Sequence, residues 1–213
     1  MDAHLLSVAV ILFTALFVPA FWFWVLPVNK AKRLALVTIV FGTITTTATF
    51  FDGLAQLGVL GGPMILALWI VPSALVWRYR NYFSDVNQRH LVFLQIFRVI
   101  GGLFILEMVR GHIPASFALP AGIGDIVVGL VALALVVGYR VIPVWGVRLV
   151  LVLGIADFAS ALFFGFTSQP GPAQLFAHGF DNQVNLFPTG VIPIFLVPYA
   201  LVFHTISYIN LKK

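Results

Sequence analysis

The 213-residue chain has no cysteine. Disulfides, thiol nucleophiles and cysteine-held metals are therefore excluded. Charge is almost as scarce: Asp, Glu, Lys and Arg together make up 9% of the chain, against about 25% in a soluble domain. So few charges cannot coat a water-facing surface, and a polytopic membrane protein is predicted. Lysine occurs only at Lys30, Lys32, Lys212 and Lys213, in predicted loops or at the last two positions. None is placed to form the buried Schiff base that retinal needs. A glycine-rich phosphate loop and an H-E-x-x-H pair are also missing, so ATP-driven work is not expected. Of the five histidines only His204 falls within a predicted span, so no pair faces across the bundle to ligate haem. No cofactor is predicted.

What is present is apolar: 61% of the residues are hydrophobic. A bilayer core takes roughly 20 apolar residues per helix. Seven segments qualify, at about 5–27, 34–53, 63–78, 91–109, 118–138, 147–166 and 188–208. Backbone groups in lipid must pair within their own segment, so the spans are helices. The expected fold is all-α, a single seven-helix transmembrane domain over 1–213. The first span has no basic residues before it and is too long for a cleaved leader, so it is expected to stay.

The net charge of +5 has a direction. Lys30, Lys32, Arg33, Arg78, Arg80, Arg89, Arg140, Arg148, Lys212 and Lys213, ten of the twelve basic residues, fall in loops on one side. Arg110 alone falls on the other, and Arg98 lies inside a span. This bias predicts an outer N-terminus, a cytoplasmic C-terminus and an inner (cytoplasmic) membrane of a bacterium. Trp22, Trp24, Trp77, Tyr79, Tyr82, Tyr139, Trp145 and Tyr208 cluster at the same helix ends, as amphipathic rings do at an interface. The basic face is expected to attract anionic lipid headgroups. Basic residues are not interleaved with exposed aromatics on a polar scaffold, so no nucleic-acid partner is expected.

Two internal echoes stand out. "VPSALVW" at 71–77 resembles "VPYALVF" at 197–203, which suggests a three-plus-one-plus-three pseudo-repeat. "GIGDIVVGL" at 122–130 resembles "GIADFASAL" at 154–162, but these helices run in opposite directions. A shared local need explains that better: small residues just before an aspartate let a neighbouring backbone approach.

Charged groups in hydrocarbon cost about 2.5–3.5 kcal/mol each on insertion scales and must face a partner, a cavity or water. The groups to explain are Gln95 and Arg98 in the fourth span, Asp125 in the fifth and Asp157 in the sixth. At about 1.5 Å per residue, Arg98 and Asp157 share a level, and Asp125 can join through water. Gln95 and Arg98, three apart, share a helix face. These four residues are the candidate binding site for a solute or ion. Pro72, Pro193 and Pro198 are candidate gate positions, because proline frees carbonyls, here those of Leu68, Thr189 and Ile194. The threonine run Thr43, Thr45, Thr46, Thr47 and Thr49 is expected to bond its own helix. No metal site is predicted, although His4, His112 and His178 share the outer level and carry ligand-type side chains. The outer loop 167–187 is semi-apolar and either caps the bundle or connects two spans.

The leading functional reading is a small-solute or ion carrier or channel with a central Arg–Asp site, in one form proton-coupled, that is not an enzyme. The alternative is an intramembrane enzyme using paired carboxylates on a lipid or isoprenoid. The third reading is a non-catalytic subunit or oligomer that packs through Gly101–Gly102 and Gly122/Gly124.

Overall fold

A computed structural model describes residues 3–56, 60–176 and 179–211. The chain is all-α, with seven helices long and apolar enough to cross a membrane: Leu5–Val25, Val28–Phe50, Gly61–Arg78, Gln88–Val109, Ala115–Gly138, Val144–Thr167 and Ile192–Leu211. They are called the first to seventh spans below. Three of them follow a proline. Pro27, Pro114 and Pro143 hold extended backbone (ψ 143°, 146° and 151°) immediately before the second, fifth and sixth spans. Proline fixes φ near −65° and lacks an N–H, so it suits the residue where a helix begins. The turn between the fourth and fifth spans passes through Gly111 at φ +79°, a conformation that glycine adopts without strain.

The chain divides into two compact units, Met1–Leu91 with Asn185–Lys213, and Val92–Val184. In the first unit the first span packs on the second and the third on the seventh. The two "VP" echoes thus lie on helices that touch. The seventh span forms the core: Ile194, Phe195, Leu196, Phe203 and Ile206 are all buried. Phe203 meets Phe21 edge-on at 5.3 Å and Trp22 at 5.5 Å. Such aromatic pairs add about 0.5–1.5 kcal/mol beyond their buried area.

The seventh span opens with a π-helical turn, Ile192–Leu196. The Val197 N–H donates to the Ile192 carbonyl, five residues back. In that register the N–H that Pro198 lacks would have met Pro193, one residue before the Ile194 carbonyl expected from an α-helix. The Trp69 indole N–H donates to the Pro193 carbonyl instead, at 2.6 Å. The Thr189 carbonyl accepts from the Ile192 N–H at 2.9 Å. Both carbonyls are therefore already engaged. The threonines behave as expected where they are buried: Thr45 donates to the Phe41 carbonyl and Thr49 to that of Thr46, each at 2.8 Å. Thr43 and Thr47 are exposed.

In the second unit the fifth span is central and packs on both the fourth and the sixth. Glycines allow this. A Cβ at Gly129 would lie 3.0 Å from the Val99 N, and one at Gly122 would lie 3.1 Å from the Gly101 carbonyl oxygen. These two positions, seven apart and on one face, bring the fourth span's backbone close. The segment after the sixth span folds back on its own unit. The Thr167 carbonyl accepts from Leu175 and Phe176, and the Gln183 N–H donates to the His112 carbonyl. Asn182 donates to the Ser168 hydroxyl at 2.8 Å.

Candidate functional site

The fourth span is not uniform. Between α-helical Gln88–Leu94 and Gly102–Val109 it tightens into a 3₁₀ helix, Gln95–Gly101. Three residues per turn place i and i+3 in line, so Gln95 and Arg98 lie directly one above the other. Both are 2% exposed. A stretch of this kind in mid-helix often marks a functional hinge or a sequence under strain.

Arg98 is the hub. Its Nε–H donates to Asp125 Oδ1 at 2.7 Å, and its Nη2–H donates to Asp157 Oδ2. The guanidinium carbon lies 4.1 Å from the centroid of the Phe158 ring. A cation over an aromatic face gains electrostatic attraction, more so away from water. The side chains of Arg98, Asp125 and Asp157 are 1%, 10% and 5% exposed. Asp125 therefore binds Arg98 directly, without the intervening water that helix heights suggested.

Adjacent residues on the fifth span divide the work. Residues 124 and 125 sit about 100° apart around the helix axis. Asp125 faces the fourth span, where a Cβ at Gly101 would overlap the Asp125 carboxylate. Gly124 faces the sixth span, where a Cβ would overlap Asp157 Oδ1. The glycine beside each acid thus clears room for a carboxylate. Of the two small residues before Asp125, Gly122 allows the backbone approach expected of both, as does Gly129, whereas Gly124 does not. Of the four residues singled out from the sequence, Arg98, Asp125 and Asp157 come together, and Gln95 lies one 3₁₀ turn from Arg98. Sequence reasoning missed Gly101 and Gly124 as clearance positions, and it missed Phe158, although Phe158 directly follows Asp157.

The cluster is not closed. Gln95 Oε1, Arg98 Nη1 and Asp157 Oδ1 are buried with no hydrogen-bond partner among the described residues. One guanidinium faces two carboxylates, a formal charge of −1 for the group. The arrangement can accept one more proton, and it leaves a donor on Arg98 and acceptors on Gln95 and Asp157 unused.

A second polar group lies at the far end of the fourth span. Buried Glu107 accepts from Arg110 and pairs with His112 Nδ1 at 2.8 Å. Among the described residues no group of three or more metal-ligating side chains occurs. The side chain of His4, and His178, lie outside the described residues.

Residues 54–212 match the family model described as a domain of unknown function, DUF8737, and the chain belongs to that family. No curated protein and no solved structure matches it.

Proposed function

We propose that this protein is a proton-coupled carrier of a small solute or ion in a bacterial cytoplasmic membrane, with Arg98, Asp125 and Asp157 as its central site and Gln95 beside them. The carrying observation is the open valence of the cluster: two carboxylates on one guanidinium, and three buried polar atoms without partners. A buried donor or acceptor left unmade costs about 1–3 kcal/mol, so the site favours whatever can complete it. A proton on one carboxylate removes the excess charge and loosens that acid's hold on Arg98. Arg98 can then take an anionic or hydrogen-bonding group of the solute. Pro72, Pro193 and Pro198 are the proposed flexible points.

The 3₁₀ stretch supplies a movable element in this scheme. If its seven residues relaxed from 2.0 to 1.5 Å rise per residue, the span would shorten by about 3.5 Å and turn by about 140°. Release of Arg98 is what would permit that relaxation. The basic-residue bias supports an outer N-terminus and a cytoplasmic C-terminus.

The test is flux. The full chain is reconstituted into liposomes containing a pH-sensitive dye, and a panel of small anionic and zwitterionic solutes is added outside. At least one solute should change internal pH. Asp125→Asn or Asp157→Asn should abolish that change, and Arg98→Lys should weaken solute uptake. Folded aspartate variants that carry solute and protons like the native chain would overturn the proposal.

A further inference from the structure

The unit made of Met1–Leu91 and Asn185–Lys213 contains a cleft of its own, about 920 Å³. That is at the upper end of the roughly 300–1,000 Å³ typical of small-molecule sites. It opens between the second and third spans, each of which packs on a different helix. These two helices are largely uncovered by protein, and Val37, Val71 and Leu75 of the cleft lining are exposed, as suits apolar side chains that meet lipid. Its body is apolar, with Val37, Phe41, Val71 and Leu75 among the lining residues. Thr38 in its wall offers no spare donor. Its hydroxyl donates to the Leu34 carbonyl and accepts from Trp22 and Tyr199.

The polar end is different. Lys30 and Arg78 both line the cleft there, with Tyr79, Asn81 and Tyr82, and no carboxylate is among the lining residues. Lys30 Nζ is held 3.2 Å from the Tyr82 carbonyl and 4.7 Å from the centre of the Tyr82 ring. An ammonium has three donors, so this positions Lys30 and leaves donors for a ligand. Arg78, at the last turn of the third span, is exposed and sits over the Tyr79 ring at 5.7 Å. Two placed cations at one end of an apolar slot match one kind of molecule, an amphiphile with an anionic head.

We propose that this cleft binds one anionic phospholipid from the surrounding leaflet, with its phosphate between Lys30 and Arg78 and an acyl chain along Val37, Phe41, Val71 and Leu75. The site is separate from the Arg98 cluster, and its test does not depend on any transport activity.

Native mass spectrometry of the full chain in mild detergent reads the binding. Dioleoyl phosphatidylglycerol is compared with dioleoyl phosphatidylcholine, and with glycerol phosphate as the head alone. Phosphatidylglycerol should be retained at least tenfold better than phosphatidylcholine. Lys30→Gln and Arg78→Gln should each weaken it about fivefold, and the double variant about 25-fold. Arg33→Gln, one turn from Lys30 but outside the cleft, should leave it within twofold. Val71→Trp fills the apolar slot and should release the lipid with both cations intact. Equal retention of the two lipids, or native retention in the double variant, would overturn the assignment. Competition by glycerol phosphate at the lipid's own concentration would do so too, because it would reveal a plain anion site. Should the double variant fail to fold, Val71→Trp decides alone, and native retention there would also sink the proposal.

Discussion

The charge imbalance at Arg98 predicts an unusual order of stabilities. Arg98→Met removes the one cation paired with Asp125 and Asp157 among the described residues and leaves the two acids buried together without it. Breaking a buried ion pair on one side costs about 3–5 kcal/mol, about a fifth or more of the 5–15 kcal/mol that holds a typical domain together. For a chain of this length the loss corresponds to a fall in Tm of roughly 6–20 °C. Asp157→Asn removes a charge-assisted hydrogen bond, which in isolation costs about 1.5–3 kcal/mol. It also leaves one guanidinium against one carboxylate, a balanced pair, and that relief offsets part of the loss. The same holds for Asp125→Asn. Both should therefore be milder than Arg98→Met, at under about 2 kcal/mol. The triple variant R98M/D125N/D157N contains no buried charge at this site. Replacing a buried ionic group as a whole is often neutral or better, so the triple should recover at least half of what R98M loses. Thermal unfolding of the four proteins in one detergent, followed by intrinsic tryptophan fluorescence, gives the order directly. The reasoning is refuted if R98M melts with the native chain, if D157N melts below R98M, or if the triple melts below R98M.

Two further expectations follow from contacts. Gly124→Ala places a methyl group on Asp157 Oδ1 and should cost about 1–3 kcal/mol as overpacking; Gly138→Ala, with nothing within 4 Å, should be neutral or stabilise by about 0.4–1 kcal/mol, and the same melts compare them. Trp69→Phe removes the donor to the Pro193 carbonyl and should cost about 1–3 kcal/mol. In a Pro198→Ala background that carbonyl regains a backbone donor in π register, so the Trp69→Phe loss should shrink by half or more; equal losses in both backgrounds, measured as a double-mutant cycle, would refute the π-register account.

Much of this was legible in the sequence, and the reason is the solvent. Hydrocarbon penalises unpaired backbone and charge so heavily that span length and the placement of a few polar residues become strong signals. All seven spans were readable to within a few residues. The largest offset is at the second, expected from 34 but begun at Val28, directly after Pro27, so that Lys30, Lys32 and Arg33 are helical rather than in a loop; the seventh begins at Ile192 because the residues before it form turns. That Arg98 and the two aspartates share a level followed from counting residues. The rest depended on rotation about helix axes, which counting along α-helices cannot supply. The 3₁₀ turn at Gln95–Gly101 moves Arg98 around its axis by about 20° per residue relative to an α-helix, and that rotation helps decide that it reaches Asp125 directly. The identical glycines differ in their jobs because they point in different directions, 122 and 129 toward the fourth span and 124 toward the sixth. Which carbonyl Pro198 releases depended on a π turn with no sequence signature beyond proline itself.

The strongest objection to a working site is that an Arg–Asp contact can simply lock helices together. One aspartate would suffice for that. With one acid the group would be neutral, and either the fifth or the sixth span could be fastened to the fourth. The second acid adds a buried charge that no cation among the described residues cancels. Admitting the two carboxylates also requires glycine at 101 and at 124, where alanine would favour a helix by about 1 kcal/mol each. Gln95 adds a buried acceptor without a donor, and the span that carries it abandons α geometry for seven residues. Each departure weakens the fold, and all fall within one cluster of the second unit. Sequences that break local rules do so mainly where function requires it. A lock has no use for spare valence, whereas a site that must bind and release a proton or solute does.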